Sequence, residues 1–286
     1  MADFDDLQLD RPARPPEPGR QSRGLPLLLT IVAIVGLGVA GYFLWTRQPT
    51  PKVSPSAARP QPPPVQTAPV AGESIELPPL GQSDALVRQL VGRLSSHARV
   101  AQWLATDQLV RNFTVVVTNI ANGHTPTAHL QKMRPTGDFV VSHDEQGTFI
   151  DPASYQRYDT YADAVSGLDP QGTARVYETL KPRIQEAYRE LGYPEGDFDA
   201  ALRRAIVLLL QTPVVEGRID VAGAGGLYSF TDDRLEALDG AQRQLLRMGP
   251  RNERLVQDEL RAIAPLVGIP PQELPPSRVI HEGGSG

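Results

Sequence analysis

Three arginines on one short segment are the side chains best spaced to act together. Arg243 and Arg247 fall four apart, so a helix would put them on one face. Arg251 follows Gly249-Pro250, in the first turn of the next helix. Guanidinium groups bind carboxylates and phosphates through paired N–H bonds, and a helix N-terminus adds unpaired backbone amides. The segment is therefore a candidate anion or partner contact. The competing reading is a structural corner, with the arginines paired to Asp232, Asp233 or Glu236.

Other groupings carry less. Ser142-His143-Asp144 holds the residue types of a hydrolase triad, but consecutive strand residues point to opposite faces and cannot bond one another. His124 and His129 are five apart, off the spacing that puts two ligands on one helix face. The run Ala222–Gly226 invites a phosphate-loop reading. It leads into Leu-Tyr-Ser-Phe, a strand pattern, with no lysine where such a loop needs one, so it reads as a hairpin turn. Glycan cleavage needs two placed acids. Glu178, Glu186, Glu190, Glu195, Asp197 and Asp199 are available, although Glu186 and Glu190 also suit a solvated face and Asp197 a helix cap. The tyrosines at 155, 158, 161, 177, 188 and 193 divide between core and surface, where an exposed subset could stack on sugar or peptide. No catalytic, cofactor-binding or metal-ligating residue is assigned, and no cofactor is implied.

Composition narrows the classes. The chain has 286 residues, with 28 basic against 33 acidic side chains and a net charge of −5, so it lacks the basic excess of a nucleic-acid binder. There are no cysteines, which excludes disulfides and thiolate metal sites.

The elements that must position these residues are mainly helical. Thr125-Pro126, Asp151-Pro152 and Asp169-Pro170 each put a capping side chain before a proline suited to the first helical turn. Leu86, Val87, Leu90, Val91 and Leu94 form one apolar stripe, and Leu109, Phe113, Val116, Val117 and Ile120 another. The second contains a β-branched run that also suits a strand, though its length favours helix. A long helix is expected over Asp169–Leu191, kinked or split at Pro182. Phe198–Gln211 is apolar nearly all round and should lie centrally. Thr231–Met248 and Pro250–Ala264 read as a last helix pair. Two short hairpins are expected, one about the turn His143–Gly147 and one about Ala222–Gly226.

Outside this segment the chain changes character. Leu25–Trp45 is uncharged and apolar, and at ~1.5 Å per residue about 31 Å long, the thickness of a bilayer core. It is too long for a signal-peptide core and ends in bulky residues where cleavage needs small ones. A transmembrane helix is therefore expected at 25–45, with a disordered cytoplasmic segment at 1–24. Gly36 and Ala40 offer a small-xxx-small face for weak dimerisation. Flanking arginines bias the orientation only slightly, so an N-in topology leans on the size of the C-terminal part. Residues 46–80 are rich in proline, centred on Pro62-Pro63-Pro64, and read as an extended linker. The globular domain is expected at 81–264 and a disordered tail at 265–286.

Several stretches together resemble a bacterial family, domain of unknown function 3014. They are Glu76–Leu80, Ile150–Tyr155, Leu180–Pro182, Tyr188–Pro194 and Leu246–Asn252. The resemblance implies a membrane-anchored envelope protein with a mainly helical domain, and it carries over no activity and no site residues. The expectation is a single-pass inner-membrane protein whose periplasmic domain binds or scaffolds an envelope protein or peptidoglycan. An envelope hydrolase working through paired carboxylates is the alternative.

Overall fold

The structure, a computed structural model, describes residues 69–125, 134–225 and 227–281. The expected membrane span, its Gly36/Ala40 face, most of the linker and the Pro126 helix start lie outside these residues. Among the described residues, no helix is long and apolar enough to cross a membrane.

The fold is mainly helical. Helices α1 (Asp84–Gly92), α2 (Ala98–Leu104) and α3 (Leu109–Ala121) open it, and β1 (Val141–Asp144) and β2 (Gly147–Ile150) form the first hairpin. Then come α4 (Ala153–Gln156), α5 (Asp159–Ser166), α6 (Pro170–Glu190) and α7 (Phe198–Leu210). After β3 (Val214–Glu216), strands β4 (Val221–Ala224) and β5 (Leu227–Phe230) make the second hairpin. Helices α8 (Asp233–Glu236), α9 (Gly240–Leu246) and α10 (Pro250–Ile263) follow, and β6 (Val279–His281) closes the order.

The caps work as their side chains dictate. Asp169 accepts from the amides of Gln171 and Gly172 to start α6, and Asp197 accepts from Asp199 to start α7. α3 is helical despite its β-branched run. Thr114 and Thr118 turn their hydroxyls back onto the carbonyls of Val110 and Thr114, and its apolar stripe is buried. Its N-terminus is capped from a distance: both Asp84 oxygens on α1 accept, from the amides of Gln108 and Leu109.

α7 lies in the main core, packed against α3, α6, α9 and α10, with Leu202, Ile206 and Leu209 buried. Each such side chain contributes about 1.5–3 kcal/mol. It is not apolar all round, since Arg203 and Arg204 face solvent. A second, smaller core of Ile150, Val215, Ile219, Val221, Phe230, Leu235 and Leu246 sits under the hairpins.

Four expectations are corrected. α6 is not split at Pro182 but continues through it as one helix. Thr231–Met248 is two helices, because Asp239 and Gln242 form a capping box that restarts the chain as α9. The tail from 265 is not loose as far as His281: Leu266, Val267 and Ile269 are buried, and β6 pairs in parallel with β3. Last, the linker gives way before residue 80, since Val70 and Leu77 already pack on the core.

Candidate functional site

The corner between α9 and α10 holds all three candidate arginines, but it does not converge them. Arg243 donates to the Glu236 carboxylate and to the Glu236 carbonyl at 3.1 Å. Arg247 turns under the second hairpin, donating to the Tyr228 carbonyl at 3.0 Å with its guanidinium 4.8 Å from the Phe230 ring centre. Burial there, with Arg243 nearby, lowers the Arg247 pKa from its usual value. Arg251 points the other way, to Asp163 at 2.7 Å and Asp159 at 3.7 Å on α5. Of the three, only Arg251 keeps a mostly exposed side chain, at 60%.

What the corner does bring together is uncharged. Gly249 has φ of +81°, and a Cβ there would lie 2.3 Å from Tyr155 Cγ. The Tyr155 phenol is pushed up to about 12 by its burial. Asn252, 1% exposed, donates to the carbonyls of Tyr155 and Met248 and to Asp159. Gln244 donates to the Tyr158 hydroxyl. Asn252→Ala removes the three bonds that Asn252 donates, so Asp159 and the Met248 carbonyl each lose a partner, while the Tyr155 carbonyl keeps the Tyr158 amide. Urea unfolding of this variant is expected to show a loss of about 2–3 kcal/mol.

From the residue after Asn252 onward, α10 buries acids that sequence reasoning did not single out. Glu253 is 1% exposed, and burial raises its pKa well above the usual carboxylate value. Gln257 donates to it at 3.3 Å and also to the carbonyls of Leu209 and Thr212. Glu259 is pushed to about 7 by burial and by the charge of Asp169, and one of its oxygens is buried without a partner. The signal was available: Asn252, Glu253 and Gln257 share the apolar face of α10 with Val256 and Leu260.

The remaining candidates scatter. Ser142 donates to Asp151, His143 contacts Thr148, and Asp144 pairs with Arg218. Glu190 pairs with Arg111, Glu186 with Arg183, and Asp197 caps α7. Glu178 and Asp199 do come together, on the Lys181 ammonium at 3.5 and 2.6 Å, with Tyr177 also donating to Asp199. Burial raises the Glu178 pKa. Lys181 fills the space between the two acids, an arrangement suited to joining α6 to α7 rather than to admitting a glycosidic oxygen. Among the candidate tyrosines only Tyr193 is exposed, and it stacks on Tyr188 with ring centres 4.6 Å apart. Among the described residues, no three His, Asp or Glu side chains cluster as metal ligands would. A cavity of about 30 Å³ between α1, α2, α3 and α6, lined by Val87, Trp103, Phe113 and Leu180, has room for about one water molecule.

With this geometry in view, a family model described as a protein of unknown function, DUF3014, matches residues 109–264, more than half the chain. The chain belongs to this family. Among curated proteins and solved structures nothing matches it. The DUF3014 match begins at α3 and ends at the last turn of α10, so it takes in the Gly249–Asn252 corner and the buried acids. Residues 69–80, α1, α2 and β6 lie outside it.

Proposed function

We infer that the protein is a single-pass inner-membrane protein whose folded domain acts by binding or scaffolding in the bacterial envelope, on the periplasmic side. The observation that carries this is the uncharged stretch Leu25–Trp45, long enough to span a bilayer and followed by a proline-rich spacer. The candidate acids Glu190, Asp199 and Glu186 are held by Arg111, Lys181 and Arg183, which weighs against the hydrolase alternative and favours a binding role. The partner is an envelope protein or a peptidoglycan fragment. The corner contributes to that contact through Arg251, whose side chain stays mostly exposed while paired with Asp163.

Two measurements test this together. The full chain should fractionate with membranes, resist carbonate extraction and become soluble when residues 25–45 are deleted. A photo-crosslinker at Arg251 in living cells should capture one specific envelope component. Recovery of the full chain in the soluble fraction would sink the anchoring. A crosslinking pattern no different from an uninduced control would sink the contact.

A further inference from the structure

The chain does not enter the folded domain at its first helix. It arrives earlier, along a strap, residues 69–80, that runs over α6. Val70 donates its amide to the Leu266 carbonyl in the 3₁₀ turn after α10, at 3.0 Å. Glu73 donates its amide to the Thr179 hydroxyl on α6, at 2.8 Å. Arg183, one turn further on, donates to the Leu77 carbonyl at 2.9 Å. Val70 and Leu77 pack on the main core, while residues 71–76 between them are exposed.

The closest approach is at Gly72. A Cβ built there would stand 2.6 Å from the Thr179 nitrogen and 2.8 Å from the Glu178 carbonyl carbon. Both atoms are backbone and cannot swing aside, so only glycine lets the strap lie this near the helix. The strap is thus matched to α6 at one residue, yet attached through few bonds and with most of its length in solvent. Segments of that kind open locally without global unfolding.

We propose that residues 69–80 are a releasable clasp that sets where the spacer leaves the domain. Docked, the spacer departs beside α6 and the 3₁₀ turn at Leu266. Released, it departs at Leu80, which adds roughly 35 Å of reach at ~3.3 Å per residue and bares the Thr179 and Arg183 face of α6. The length through which the domain is held therefore takes two values. The functional use of those two lengths rests on the membrane-anchored reading above; the clasp itself does not.

Amide hydrogen exchange on the full chain in detergent tests the clasp. Wild-type Val70 and Glu73 amides should exchange at least about tenfold more slowly than unstructured chain. Gly72→Val should bring both to the unprotected rate while the amides of α6 and α7 keep their protection. Thr179→Val, which removes the acceptor without adding bulk, should free Glu73 in the same way. Unprotected Val70 and Glu73 in the wild type would overturn the proposal. So would loss of α6 protection together with the strap in both variants, which would make the strap an inseparable part of the core. Membrane fractionation reads the anchor separately, so failure of either reading is visible without the other.

Discussion

Gly249→Ala should cost the domain about 3–5 kcal/mol, a large share of its stability. Two effects add at this position. With φ +81° and ψ 162° its backbone lies where side chains other than hydrogen are strained by about 1–3 kcal/mol. The new methyl would also overlap the Tyr155 ring at 2.3 Å, and overpacking of that kind costs typically 1–3 kcal/mol. A typical domain has about 5–15 kcal/mol in total. Gly192→Ala separates the two effects. Gly192 has φ of +99°, and a Cβ there meets nothing within 4 Å. It should lose only the backbone strain, about 1–2 kcal/mol. Urea midpoints of the two variants against wild type make the comparison. Equal losses would show that the contact with Tyr155 contributes nothing.

The folded domain should be more stable at pH 4.5 than at pH 8. Glu259 titrates near 7 in the fold, and burial raises Glu253 as well. An acid whose pKa is raised by folding binds its proton more tightly in the native state. Its contribution is therefore most favourable below the unfolded value near 4.5, declines as pH rises toward 7, and stays low above that. Allowing for solvent that still reaches the carboxylate, the Glu259 part is on the order of 2 kcal/mol. Asp144, Asp151, Asp232 and Glu190 shift in the opposite sense, their pKa values lowered by bonds to Arg218, Ser142, Arg234 and Arg111. Their effect lies below their unfolded values, near 4, whereas the acids raised by burial, Glu253, Glu259 and Glu178, act above it. Glu259→Gln should remove the Glu259 share of the decline and leave the share due to Glu253 and Glu178, matching wild type at pH 4.5 and exceeding it at pH 8. Urea midpoints at the two pH values read this directly. A wild-type protein with the same midpoint at both would refute it.

Local chemistry was legible in the sequence at several caps and breakers, though not at all of them. Asp169-Pro170, Asp197 and Gly249-Pro250 set helix starts that the structure keeps. The hairpins followed from short apolar runs either side of polar or glycine-rich turns. Pro182 misled because a missing donor weakens a helix without deciding its fate. Leu180, Ile184 and Ala187 are buried around it, and that packing outweighs one lost bond. The split between α8 and α9 was readable in Asp239 and Gln242, but the apolar pattern through Leu238 hid it. Asp84 capping α3 and β6 joining β3 depend on partners far along the chain, for which no local spacing exists. At the corner, the reading as a structural turn with Glu236 as an arginine partner holds for Arg243, while the partners of Arg247 were not legible. Helix geometry aligned Arg243 with Arg247, while Glu236, Tyr228 and Phe230 supplied nearer partners.

The pairing of β3 with β6 also fixes an order of events during synthesis. Val214 takes its amide partner from the Arg278 carbonyl, Arg203 pairs with Glu273 at 3.3 Å, and Arg261 donates to the Pro275 carbonyl. Helices α1 to α7 can collapse on one another as they leave the ribosome, whereas closing the long loop from β3 to β6 is slow. Until residues 273–281 emerge, the β3 edge stays open. A nascent chain stalled before that point would carry a helical core with one unpaired strand, the form of this protein most exposed to wrong pairing with a neighbour.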